Sequence, residues 1–134
     1  MKTTEDTEST EWEFDLLTST VIGCAIEFHR ELGPGLLESA YERCLAHELK
    51  LTGIEFQRQV PVSISYKGIH LDCGYRADFL VAHRVLLELK AVDRVSPIHQ
   101  AQILTYMKLT EISVGLIINF NVPKFAKGVR RFAI

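Results

Sequence analysis

In the stretch YRADFLVAHRVLLELKAV, Tyr75 to Val92, two carboxylates and an ammonium stand inside an otherwise apolar, strand-like pattern. Side chains alternate along a strand. Glu88 and Lys90 therefore share one face, and Arg76, Asp78 and Leu80 share a face of the preceding strand. A three-residue loop at Ala82-His83-Arg84 sets Val81 across from Val85 and Asp78 directly across from Glu88. Like charges so opposed are destabilising. Lys90 falls on the diagonal, within reach of either acid. One account is a structural salt-bridge cluster, but it leaves an excess negative charge. A divalent cation removes that excess, and closely spaced hard oxygen ligands suit Mg²⁺ or Mn²⁺. With a metal in place, the lysine can steady an attacking water or the charge developing on a phosphate. The spacing D-x9-E-x-K thus points to metal-dependent phosphodiester chemistry.

A second group of residues bears on the same chemistry. On a helical wheel of about 100° per residue, Glu38 lies in the apolar arc of Leu37, Tyr41, Leu45 and Leu49, where an unpaired carboxylate is costly. Glu48 lies in that arc as well, and helical position does not choose between them. Gln102 and Tyr106 are neighbours four residues apart on a later helix. Arg76 can contact phosphate or neutralise acids. His29, His47 and His99 read as surface or capping residues, with His99 a secondary contact to the site. Cys24, Cys44 and Cys73 read as small core residues. His70, Asp72, Cys73 and His83 lack the paired spacing of a zinc site.

The elements that must hold these residues follow from pattern. A helix begins near Phe14, carries Leu17, Val21, Cys24, Ala25 and Phe28 at helical steps, and ends at Gly33-Pro34-Gly35. A second helix covers about residues 36–51 and stops at Gly53. Strands are expected over Glu55–Tyr66, with Pro61 at an edge or a strand start, then over Ile69–Val81 and Val85–Ala91. Pro97 opens a helix reaching about Leu109, and Val114–Phe120 reads as a strand covered on both faces. The sum is an α/β sandwich around a mixed sheet.

Composition sets the bounds. A chain of 134 residues, 47% hydrophobic and 24% charged, is one ordinary globular domain. We assign residues 1–11 to a disordered acidic tail and 12–134 to the domain. No run is long and apolar enough to span a membrane, and the acidic, polar start is unlike a signal peptide. Three cysteines with no close pair suggest reduced thiols and a cytoplasmic location. The formal net charge of −2 argues against a purely charge-driven nucleic-acid binder. The acids are concentrated in the first fifteen residues, however, and the remainder is mildly basic. Lys124, Lys127, Arg130 and Arg131 form either a solvated terminus or a phosphate-binding patch.

Taken in order, these motifs resemble the PD-(D/E)XK nuclease superfamily, and within it the small GxxExxY proteins. Gly35, Glu38 and Tyr41 in GLLESAY match the latter's motif. The resemblance continues through YRADFLV, LLELKAV, AQILTY, LIINF and GVRRF, covering roughly residues 14–132. It implies a restriction-endonuclease-like α/β/α sandwich with a central mixed β-sheet, and a Mg²⁺- or Mn²⁺-dependent nuclease. Asp78, Glu88 and Lys90 take the D…ExK positions, with Ala77 replacing the usual proline. The resemblance makes Glu38, Asp78, Glu88 and the Leu89 carbonyl the metal ligands. Gln102 and Tyr106 match the QxxxY motif of the RecB-like branch, which organises the site and contacts nucleic acid; Arg76 and Tyr41 join them in that role. The implied partner is nucleic acid, DNA first, with a homodimer as a further expectation for so small a domain. The alternative is a non-catalytic member of the fold that binds nucleic acid or a protein.

Overall fold

The computed structural model of the protein describes the backbone of residues 4–134 and the side chains of residues 14–134. Of the segment expected to be disordered, residues 1–3 lie outside the described residues, and the backbone of 4–11 belongs to the first helix, α1 (Thr4–Leu32). The inward stripe of α1, Val21, Cys24, Ala25 and Phe28, is buried. The helix ends where Gly33, at φ 67°, donates its N–H to the His29 carbonyl. Helix α2 (Glu38–Thr52) stops at Gly53, whose φ of 76° is a left-handed cap that glycine adopts at little cost.

The expected strand 55–66 is broken in two, β1 (Phe56–Pro61) and β2 (Ile64–Tyr66), and so is 69–81, which becomes β3 (Ile69–Leu71) and β4 (Arg76–Val81). The break has local causes. Val62 turns its N–H to the Tyr75 carbonyl, and Asp72 accepts the N–H of Gly74, which has a φ of 77°. Strands β2 and β3 pair only with each other, as a separate two-stranded ribbon. Beyond β5 (Val85–Lys90) come α3 (Pro97–Thr110), β6 (Val114–Asn119), a 3-10 turn at Phe125–Gly128 and β7 (Val129–Ala133). The last strand was not foreseen. Its half-exposed, basic sequence has no clear alternation, and pairing with β6 decides its conformation.

The main sheet has the order β1-β4-β5-β6-β7. Only β5 and β6 run parallel, and α3 supplies the crossover that a parallel pair requires. Helices α1 and α2 pack on one face, over Phe79, Val81, Leu87, Leu89, Leu116 and Ile118. Helix α3 covers the other through Ile103, Tyr106 and Met107 against Ala77, Leu86 and Ile117. Gly115 on β6 makes that approach possible, because a Cβ there would stand 2.8 Å from the Met107 sulfur. The result is the expected α/β/α sandwich about a mixed sheet. Among the described residues no helix is long and apolar enough to cross a membrane.

Two further expectations are corrected. His29 is buried, with Nε2 2.9 Å from the Phe120 carbonyl oxygen, because Phe120 and Phe125 close over its ring. Cys73 is exposed, since it falls in the loop after the ribbon and not in a sheet strand.

Candidate active site

The β4–β5 hairpin has the anticipated register. Val81 pairs with Val85 and Phe79 with Leu87, around a turn in which Arg84 donates its N–H to the Val81 carbonyl. Ala82 and His83 both take positive φ there, 52° and 55°. Extended by one residue, that register sets Asp78 opposite Glu88. Main-chain pairing between the two strands stops at this point, and the acids take over. Asp78 Oδ2 accepts the Leu89 N–H at 2.7 Å, and Glu88 Oε1 accepts the Asp78 N–H at 3.2 Å. Each carboxylate thus occupies part of the other strand's backbone.

The neighbouring pair β1–β4 is disturbed at the same height. Phe79 belongs to the core under α1 and α2, whereas Ala77 belongs to the core under α3. A regular strand would keep residues two apart on one face. Across from Asp78 the β1 register skips Gln59, which has a φ of 51°. For a residue with a Cβ this is uncommon backbone geometry. The side chain of Gln59 donates to Glu42 on α2 and lies 3.5 Å from Asp78 Oδ1.

Asp78, Glu88, Leu89 and Lys90 line one cavity of about 300 Å³, closed on the far side by Glu38, Ser39 and Glu42 at the start of α2. Glu38 lies in the first turn of α2 and is exposed. It faces the cavity and not the apolar arc expected for it. Glu48 is instead close enough to Cys24 and Cys44 for its charge to raise both thiols' pKa, behind the larger effect of burial. Sequence reasoning missed Glu42 and Gln59. The four-residue spacing of Glu38 and Glu42 was a usable signal for the first. The second depends on a backbone conformation that no local pattern announces.

Electrostatics follow from this enclosure. Glu88 is only 5% exposed, and its carboxyl is pushed up to about 8, first by burial and then by the charge of Asp78. Burial also raises Asp78, against the opposing hydrogen bond from Leu89, and the Glu42 and Glu38 carboxylates push the same way. Lys90 lowers both acids by less than burial raises them. The pair cannot hold two negative charges comfortably without an added cation.

Among the described residues, no three His, Cys, Asp or Glu side chains gather into a self-sufficient metal centre. The donor set nevertheless fits Mg²⁺ or Mn²⁺, which are held by one or two carboxylates while waters and substrate phosphate complete the shell. It does not suit a metal needing a closed protein cage. Leu89, whose carbonyl is an expected ligand, also lines this cavity, and its N–H is engaged by Asp78.

Other expected residues fall elsewhere. Tyr41 is fully buried and outside the cavity. Its ring stacks on Phe120 at 4.4 Å and 13°, and its hydroxyl donates to the Gly33 carbonyl at 2.6 Å and accepts the Leu36 N–H at 3.2 Å. It therefore ties down the loop that delivers Glu38, acting from behind the site. Gln102 and Tyr106 are hydrogen-bonded to each other at 3.1 Å and line an adjoining cavity, which shares Lys90 with the first. The Tyr106 phenol is raised by burial first, and next by the charge of Glu88. Arg76 is exposed on β4 and lines neither cavity. Arg131 is ion-paired with Asp15 at 2.6 Å, so one of the four C-terminal bases has an internal partner. His99 caps α3, its Nδ1 accepting the Ser96 N–H at 3.1 Å.

The exit of β5 is fixed by one buried side chain that the sequence did not single out. Asn119 accepts the Val92 N–H at 3.1 Å and donates to the Val92 carbonyl at 2.8 Å, while Phe120 donates its N–H to the Lys90 carbonyl at 2.9 Å. These bonds hold the backbone that carries Lys90.

A family model described as the PD-(D/E)XK nuclease superfamily matches residues 15–132. No curated protein and no solved structure matches the chain. The match spans both elements of the hairpin, the α2 acids and the β6–β7 pair that pins the site, and the chain belongs to the PD-(D/E)XK nuclease superfamily.

Proposed function

We propose that the protein is a Mg²⁺- or Mn²⁺-dependent phosphodiesterase that hydrolyses DNA, and that it is of the GxxExxY kind. The observation that carries this reading is the interlocked pair Asp78–Glu88, buried beside Lys90 in a cavity whose acids are strained toward protonation. Such a pair gains by holding a cation, and a cation-binding pair with one lysine beside it suits in-line attack on a phosphodiester. Asp78 and Glu88 would hold the metal, and Glu38 would reach it through water. A metal held there would supply positive charge to the phosphoryl oxygens and make nearby water more acidic.

The remaining work belongs to the chain. Lys90 orients the attacking water and stabilises charge on the phosphate. The water oxygen forms a bond to phosphorus as the bond to the leaving oxygen breaks. That oxygen takes a proton from solvent, and the attacking water releases one. Gln59, itself bonded to Glu42 on α2, donates to Asp78 from the β1 side, and Tyr41 supports the approach of Glu38.

The test is Mg²⁺-dependent cleavage of single- and double-stranded DNA and RNA by the wild type, Asp78→Ala and Lys90→Ala. The reading expects cleavage of DNA that both substitutions abolish. Equal cleavage by all three proteins rules this cavity out as its source.

A further inference from the structure

The cavity that adjoins the carboxylates is the larger of the two, about 580 Å³, within the size range of pockets that take a small organic ligand. Its walls come from the two-stranded ribbon with its following loop and from the outer side of α3, whose inner side packs on the main sheet. Ile64 of the ribbon and Tyr75 of the following loop form one side; Ile98, Ala101 and Leu109 of α3 form the other. Tyr75 is 45% exposed and Ile98 71% exposed, so neither is placed there by the needs of packing. Polar groups interrupt this lining: Gln102, Thr105, His99 and the Tyr106 hydroxyl. In neutral His99, an Nδ1 that accepts from Ser96 leaves the ring proton on Nε2 as a donor.

Apolar walls that include a tyrosine ring, with a few hydrogen-bonding groups among them, suit a planar heterocycle. The rings of Tyr75 and Tyr106 lie 6.2 Å apart and tilted by 58°, so Tyr75 is not stacked face to face on its neighbour. Lys90 stands in the wall of both cavities, so an occupant of the larger one adjoins the carboxylates. A base within a duplex is stacked and paired and cannot enter a recess of this kind. An unpaired base can do so at little cost.

We propose that this cavity receives an unpaired nucleobase whose adjoining phosphate lies at Asp78 and Glu88, so that the protein acts on single-stranded nucleic acid. The inference rests on the phosphodiesterase reading above and adds the substrate class. Tyr75 provides the stacking surface, Ile64 and Ile98 flank it, and Gln102 and Thr105 meet the base edge without demanding one base. The same chemistry accepts a base from DNA or from RNA.

The test measures binding and cleavage separately, on the full-length protein. Binding is followed by fluorescence anisotropy with a labelled DNA single strand, the matching blunt duplex and an RNA single strand, with Ca²⁺ replacing Mg²⁺ to hold back cleavage. The single strand is expected to bind at least about tenfold more tightly than the duplex. Tyr75→Ala should weaken it by about tenfold and leave duplex binding unchanged. Ala101→Trp, at an exposed helix position, fills the recess and should have the same effect without removing any contact of the fold. In Mg²⁺, one abasic nucleotide moved along the strand should suppress cutting only at the bond beside it. Equal binding of single strand and duplex, with both variants behaving as wild type, overturns the proposal. A preference for single strands that depends on Tyr75, in a protein that cuts nothing, supports the cavity and sinks the phosphodiesterase reading instead. Cleavage that is indifferent to Tyr75, Ala101→Trp and the abasic position sinks the cavity alone. Comparison of the DNA and RNA arms shows which strand supplies the base.

Discussion

Asp78 and Leu89 are joined by a 2.7 Å hydrogen bond from the Leu89 N–H to the Asp78 carboxylate, just where main-chain pairing between β4 and β5 ends at Phe79–Leu87. The side chain thereby does the work of a ladder carbonyl, and the two strands part to open the cavity. An ionised acceptor forms a stronger bond than a neutral carbonyl, which offsets part of the cost of burying the acid. The same device repeats from Glu88 to the Asp78 N–H.

The first prediction concerns stability and pH in the absence of metal. The folded pKa of Glu88, about 8, lies above its ordinary value of 4.5, so the native state binds the proton more tightly than the unfolded state does. The stabilising protonated form is fully present below pH 4.5 and is lost as pH rises to about 8, so stability should fall across that window. At ~1.4 kcal/mol per pH unit, the fall amounts to a few kcal/mol at most. Urea denaturation from pH 5 to pH 9 measures it. Glu88→Gln should flatten the profile and exceed the wild type in stability at the alkaline end; an unchanged slope in this variant contradicts the assignment.

The second prediction follows for metal binding. A cation displaces the proton held by Glu88, so Mn²⁺ affinity should tighten as pH rises to about 8 and then level off. Titration calorimetry in two buffers of different ionisation heat should detect proton release near pH 7. Glu88→Gln should bind at least about tenfold more weakly, as expected when one of only two carboxylate ligands is lost, and release fewer protons.

The third prediction separates two roles of Tyr41. Tyr41→Phe keeps the stack on Phe120 but removes the hydroxyl that bridges Gly33 and Leu36. A loss of about 1 kcal/mol is expected for such a bond. Because the loop it secures leads into Glu38, Mn²⁺ affinity should also drop by a few-fold, while Tyr41→Ala should cost about 3–5 kcal/mol through the cavity it leaves. Chemical denaturation and calorimetry together check both. A Phe variant with reduced stability and unaltered metal affinity would show that the hydroxyl serves only the fold.

Much of the hairpin was legible because its pattern is local. A three-residue loop fixes the register, and extending it by one residue brings Asp78 opposite Glu88. The break in alternation between Ala77 and Phe79, which lie in opposite cores, was not legible. The motif residues Glu38 and Tyr41 were legible as a unit, but not their division of labour. Tyr41 on a wheel looks like any other apolar-arc residue, and only the Gly33 and Leu36 contacts reveal its purpose. Gln59 and Asn119 were not legible at all. The first depends on a positive φ in the middle of β1. The second sits 27 residues from its partner Val92 in a run that reads simply as a buried strand. Strand β7 was hidden for a similar reason: an edge strand is specified by its neighbour more than by its own side chains.

Asn119 supports the last prediction. It is 3% exposed, and its amide makes two bonds to the main chain of Val92, the second residue after Lys90. Asn119→Ala leaves that N–H and carbonyl without partners, a loss of about 1–3 kcal/mol for each group that stays buried. Asn119→Asp keeps the acceptor for the Val92 N–H but faces the Val92 carbonyl with an oxygen that cannot donate when ionised, so it should be destabilised too and should recover at low pH. If Asn119 merely fills space, Asn119→Val, which is nearer in volume than alanine or leucine, should stay close to the wild type. If it holds the β5 exit, Asn119→Val should lose stability as Asn119→Ala does. Cleavage should then fall further than the folded fraction accounts for, because Lys90 is carried on the backbone that has been released. Thermal denaturation and turnover measured on the same preparations distinguish the two cases.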